Sequence, residues 1–302
     1  MAFLFFKRII GTIDWKIDLL HFKAVLQKSL PFALLIILMS LYTRIDGILL
    51  HTFATNGNVE TGIYAKGFRL LDALYMFGMI FAGLLFPMFS NVLRESVQKV
   101  KELVLISSHF LMSGVIVVVF ILIGHAGYIL QLIYTSKSEA ITPFCWLMLS
   151  FLGIAMNFVF GTLLTANGNL KELNIISAIG VLLNVSLNIF LIPKYGASGA
   201  GFTAFITQIT MAITQFILCA RYFQIKIGLV SIGKWILFTL SFVCILFLFS
   251  LIMMNLVDQN LLYSPILFGG IICIELILGL TLMFVFKFIE LKPLKNLFLT
   301  RS

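Results

Sequence analysis

"SLYTRIDGILLHTF", residues 40–53, decides how this chain is read. Thirteen uncharged residues, Leu30 to Tyr42, lead into it. Arg44 and Asp46 follow, and the apolar run resumes at Ile48. Composition says what kind of run this is. Of 302 residues 61% are hydrophobic and 11% charged, and the mean hydropathy is +1.11. Soluble domains are about 45–50% apolar and about 25% charged. A chain this apolar cannot clothe itself with polar surface in water, so the run is a membrane span with an arginine and an aspartate at depth.

Crossing the hydrocarbon core takes roughly 20 apolar residues in a helix. The sequence predicts eight such segments, at about 29–53, 61–91, 103–125, 142–167, 173–192, 197–221, 234–256 and 265–288. No segment reads as a strand pair, so the expected fold is all-α, a polytopic transmembrane helix bundle. The links carry turn chemistry: "NGN" at 56–58 and 167–169, and "PKYG" at 193–196. The longest internal link, 125–143, is expected to hold a short interfacial helix.

Charge sets the orientation. The stretch to Lys28 and the links 94–102, 168–172, 221–234 and 287–302 hold sixteen of the 21 basic residues, and the opposite links hold only Lys137 and Lys194. The positive-inside rule then places both termini in the cytoplasm, in agreement with an even number of spans. The net charge of +9 is thus a topology signal and not a sign of nucleic-acid binding. The stretch from Lys7 to Lys28 alternates apolar and charged residues, the pattern of an amphipathic helix on the membrane face. Cys145, Cys219, Cys244 and Cys273 all lie in apolar segments without a CxxC pair, and His21, His51, His109 and His125 lack metal-ligand spacing. No cofactor or metal is expected. Nor is there a nucleotide loop, triad or metal box for an enzyme.

Arg44, Asp46, Lys66, Arg69 and Asp72 cluster in the first two spans. Each costs about 2.5–3.5 kcal/mol at a helix centre unless it meets a partner or a wet cavity, and such residues are functional candidates by default. At about 1.5 Å per residue Arg44 and Asp46 lie roughly 22–26 Å in, and Lys66, Arg69 and Asp72 return to a similar depth on the next helix. Arg44 and Asp46 point about 160° apart. Arg44 shares its side with Ser40 and His51, and Asp46 shares its side with Tyr42 and Thr43. One is expected to anchor the bundle while the other faces a cavity with the Lys66–Arg69 stripe. The five charges could simply neutralise one another, but three cations against two anions leave an excess suited to a phosphate or pyrophosphate. Glu275 stands alone in the last span. Asn184 and Asn188, four apart, read as interhelical glue. "YGASGAGFTAF" (195–205) reads as close helix packing, and Pro87 as a kink.

"LPFALLIILMSLYTRIDGILL", "ETGIYAKGFRLLDAL" and "LLFPMFSN", followed by "LLTANGNLKELNIISAIGVLLNVSLNIFLIPKYGASGAGFTAFITQ", resemble the polysaccharide flippases of the multidrug/oligosaccharidyl-lipid/polysaccharide exporter superfamily. The resemblance covers roughly 29–220 and implies a two-lobed fold of six plus six helices, here the second lobe with the first missing. It implies three parts: a connector at 1–28, a six-helix lobe at 29–221, and two added helices with a basic tail at 222–302. "AFLFF" (2–6) fits the end of a truncated first lobe. The implied cargo is a polyprenyl-pyrophosphate-linked oligosaccharide moved across the bacterial cytoplasmic membrane. Arg44, Lys66 and Arg69 would meet the substrate, and Asp46 and Asp72 would pair with them or bind a coupling ion. Membrane lipids, a first lobe and a polysaccharide polymerase or ligase are the implied partners. The alternatives are a cation-coupled exporter of small cations, with Asp46 and Asp72 as ligands, and a non-transporting scaffold for polysaccharide assembly.

Overall fold

The computed structural model describes residues 19–134, 138–225, 229–256 and 265–288, and among these every long element is an α-helix. In chain order they are α1 (Leu19–Arg44), α2 (Asp46–Phe53), α3 (Gly57–Glu95), α4 (Val97–Gly124), α5 (Ala126–Tyr134), α6 (Ile141–Ala166), α7 (Leu170–Phe223), α8 (Leu229–Leu256) and α9 (Pro265–Val285). Seven helical stretches are long and apolar enough to cross a bilayer. The chain is a multi-pass membrane protein. The expected short helix in the longest internal link is α5. α3 is helical on both sides of Pro87.

α7 has 54 residues, about 80 Å of helix, far more than a hydrocarbon core of about 30 Å requires. It is folded in two. Gly196 has φ 52° and ψ −133°, a backbone state that side chains disfavour, and residues on its two sides meet. Tyr222 donates its hydroxyl to Glu172 Oε1 at 2.9 Å. Leu173 shares an apolar cluster with Cys219 and Phe223, and Ile176 shares another with Met211. α7 is therefore an antiparallel hairpin with a first arm before Gly196 and a second arm after it, and the described residues make eight passes. The turn is pinned by α3, because Ala197 N–H donates to Glu60 Oε2 at 2.6 Å. The anion thereby sits at the positive end of the second arm.

α6 is the hub. It packs against α3, α4 and α7, sharing apolar clusters with Leu173 and Ile192 of the first arm and Ala197 and Cys219 of the second, with Phe144, Leu147, Met148, Ala155, Val159 and Leu163 fully buried. Gly153 lets the second arm approach backbone to backbone: a methyl there would stand 2.6 Å from the Gln208 carbonyl carbon. In "YGASGAGFTAF" Ala197, Gly199, Ala200, Gly201 and Ala204 are buried, so this stretch is packing surface. α8 and α9 form an outlying layer. Phe238, Phe242 and Met283 pack on Ile116, Val117 and Ile121 of α4, and His125 Nε2, at the end of α4, lies 2.9 Å from Glu275 Oε2 on α9.

The helix ends sort by charge. One end of the bundle gathers Val92, Val100, Leu164, Leu173 and Phe223, so the links bearing Arg94, Lys99, Lys101, Lys171 and Arg221 meet there. The other end gathers Ala126, Ala140, Ile192 and Ala197. α1 runs without a break from Leu19 through Ser29, where a separate surface helix was expected up to Lys28. The rest of that expected helix, the basic tail after 288, and Lys137 and Lys226 lie outside the described residues. Gly196→Ala is expected to strain the hairpin turn and push against Glu60. A loss of about 1–3 kcal/mol, read as a lower melting temperature in detergent, checks it; an unchanged melt would contradict the turn geometry.

Candidate functional site

The site begins where the first long helix is interrupted. Thr43 turns its hydroxyl back onto the carbonyls of Met39 at 2.8 Å and Ser40 at 3.1 Å, a competition with the helix that favours bends. α1 ends at Arg44 and α2 begins at Asp46, with Ile45 between them still in right-handed helical conformation (φ −67°, ψ −23°). The rotation per residue is therefore kept, and the two charges part. Ser40, Arg44 and His51 are exposed, while Tyr42, Asp46 and Leu50 are buried.

Asp46 is 1% exposed and fully engaged. Its Oδ2 accepts from Tyr64 Oη at 2.8 Å. Its Oδ1 accepts from Asn184 Nδ2 at 3.0 Å and Asn188 Nδ2 at 2.7 Å. Asn188 Nδ2 also donates to Asn184 Oδ1 at 3.0 Å. One carboxylate thus joins α2 to α3 and to the first arm of α7. The two asparagines are interhelical glue, as their spacing suggested, and the group they hold is Asp46.

Arg44 points the other way. Its guanidinium reaches Asp72 Oδ1 at 3.2 Å and lies 5.8 Å from the centre of the Phe68 ring. All three residues line a cavity of about 370 Å³ between α1, α3, α6 and the second arm of α7, together with Ser40, Tyr75, Ser150 and Gln208, and the buried Asp46 and Tyr64 form part of the same wall. The Arg44 and Asp72 side chains are 63% and 36% exposed, so this pair is wet and separable, unlike the Asp46 network. Lys66 and Arg69 do not line the cavity. Arg69 is exposed and Lys66 half-buried, on the turns of α3 before Asp72. The expected cavity shared by Arg44 and the Lys66–Arg69 stripe is instead shared by Arg44 and Asp72, because three-residue steps rotate the stripe about 60° at a time.

Two elements were not legible in sequence. Tyr64 gave no sign of being a ligand to Asp46, since an apolar-flanked tyrosine is common in a span. Glu275, which had no opposite charge near it in sequence, takes His125 from 150 positions away. Among the described residues no cluster of three His, Cys, Asp or Glu could hold a metal. Comparison with known proteins returns no matching family model and no matching curated sequence.

The two charges should behave differently on removal. Asp46→Ala leaves Tyr64 Oη and Asn184 Nδ2 without an acceptor and Asn188 Nδ2 with Asn184 Oδ1 alone, and is expected to lower stability by at least about 1.5–3 kcal/mol. Arg44→Ala removes an exposed pair and is expected to cost no more than about 1 kcal/mol. Thermal unfolding of the two variants in the same detergent checks this, and equal losses would contradict the division of roles.

Proposed function

We propose that this chain is part of a membrane transporter that moves an anionic lipid-linked oligosaccharide, a polyprenyl-pyrophosphate-bound repeat unit, across the bacterial cytoplasmic membrane. The observation that carries the reading is Arg44, a cation at the wall of a 370 Å³ cavity inside a membrane bundle, held by a half-exposed aspartate that an incoming anion can displace. A charged side chain within a membrane span is a functional candidate by default. Arg69 and Lys66 extend the positive character along α3 beyond the cavity. The resemblance of 29–220 to polysaccharide flippases supports the same cargo, and a facing lobe would supply the second wall in an alternating-access cycle. The gathering of Arg94, Lys99, Lys101, Lys171 and Arg221 at one end of the bundle supports a cytoplasmic assignment for that end, and with eight passes both termini lie there. We assign the chain transport and no catalytic chemistry.

The small-cation exporter needs a carboxylate free to take a cation. Asp46 already holds three donors and Asp72 holds Arg44, which favours the anion.

The test is translocation of a fluorescent polyprenyl-pyrophosphoryl oligosaccharide by vesicles in which the chain is reconstituted together with its facing lobe. Arg44→Ala is expected to slow it about tenfold or more, the loss of one charge-assisted contact, with unchanged helicity. Lys66→Ala and Arg69→Ala are expected to reduce surface polysaccharide in cells at unchanged protein level. No translocation by the wild type, or full activity in Arg44→Ala, would overturn the assignment.

A further inference from the structure

Next to the Arg44 cavity lies a second one of about 220 Å³, and its chemistry differs. No Asp, Glu, Lys, Arg or His lines it. Its polar wall is a seam of carboxamides between α6 and the second arm of α7: Asn157, Gln208 and Gln215, which are 8%, 4% and 2% exposed. Residues Met39, Tyr42, Thr43, Tyr75, Ile154 and Gln208 line both cavities, so the two adjoin through a shared wall.

The three carboxamides do not fully pair off. These make one bond among themselves, from Asn157 Nδ2 to Gln208 Oε1 at 3.2 Å. Asn157 Oδ1 and Gln215 Oε1 are buried with no partner among the described residues. Buried polar atoms are mostly satisfied; Thr61, Asn174, Asn188, Thr203 and Thr207 also keep an unpaired oxygen, and what sets Asn157 and Gln215 apart is that their side chains line a cavity that can receive a partner. The fold makes room for this arrangement. A methyl at Gly161 would stand 2.8 Å from Gln215 Oε1, so glycine there lets the glutamine lie against α6. Thr162 and Thr165 spend their hydroxyl protons on the carbonyls of Phe158 and Gly161, at 2.6 and 2.7 Å, which leaves their oxygens as acceptors. Tyr75 of α3 and Phe158 of α6 add an aromatic wall, ring centres 5.2 Å apart and tilted 55°.

We propose that this seam binds an uncharged, hydroxyl-rich group, a sugar ring in chemical class. A carboxamide presents a donor and an acceptor side by side, as a pair of neighbouring hydroxyls does. The absence of charge in the lining disfavours an ion, and the aromatic wall suits the C–H face of a ring. For the source of the ligand the inference rests on the transporter reading: the sugar next to the pyrophosphate would enter the seam while Arg44 holds the phosphate in the adjoining cavity. The binding chemistry stands without it.

The experiment is saturation-transfer NMR on the full chain in phosphatidylcholine nanodiscs. The probes are methyl β-glucopyranoside, a short-chain prenyl-pyrophosphoryl glucose, and cyclohexylmethanol as a hydroxyl-poor ring. Transfer to the sugar ring protons is expected from the wild type and from Arg44→Ala, and not to cyclohexylmethanol. Gln215→Met, nearly isosteric, is expected to weaken it about tenfold at an unchanged melting temperature, and Asn157→Leu, which also removes the donor to Gln208, to weaken it with a lower melting temperature. Transfer only from the lipid-linked probe, lost in Gln215→Met, also supports the seam and identifies the tethered sugar as its ligand. No transfer from either sugar (a cavity holding water alone), equal transfer to cyclohexylmethanol, or unaltered transfer in both variants overturns it. If the lipid-linked probe binds no tighter than the free sugar and ignores Arg44→Ala, the pyrophosphate reading fails while the seam stands.

Discussion

A carboxylate that leaves water for the middle of a helix bundle has to be satisfied by the bundle itself, and Asp46 places that demand on three helices at once. Tyr64 answers from α3 and Asn184 and Asn188 from the first arm of α7. These bonds fix the rotation of α2, and with it the rotation of α1, since the interruption at Ile45 preserves helical geometry. Arg44 then has no choice of direction. It must face outward to the cavity, where Asp72 and Phe68 receive it. The buried charge is a structural determinant, and the exposed one two positions earlier is available for binding.

A similar economy holds at the α7 hairpin. Glu60 on α3 accepts the Ala197 amide at the start of the second arm, so α3 holds both arms, one through Tyr64 and Asp46 and the other through its first turn. The second arm is thereby laid along α6, backbone against backbone at Gly153. That close approach sets the width of the carboxamide seam. Both cavities thus follow from how α7 is folded and pinned.

Much of this was legible in the chain. Apolar runs of span length, separated by Asn-Gly and Pro-Gly links, identify a helical membrane bundle because the bilayer imposes one length and one backbone solution. Helical periodicity alone parted Arg44 from Asp46 and put Asn184 and Asn188 on one face. The spacing of Lys66, Arg69 and Asp72 was legible too, but not which of them meets Arg44, since a stripe that winds round a helix presents one member to any given neighbour. The carboxamides passed unnoticed: Asn157 and Gln208 are 51 positions apart, and neither stands out in an apolar run.

By itself, then, the sequence determined the environment, the number of passes, the facing of residues within each helix and the asymmetry of charge between alternate links. These are local properties, set by hydropathy and a fixed rotation per residue. Only the tertiary structure decided the partners: Tyr64 and the two asparagines for Asp46, Asp72 for Arg44, His125 for Glu275, and Gln208 for Asn157. Partner choice depends on which helices pack and at what height, and one helix carries no record of its neighbour's rotation.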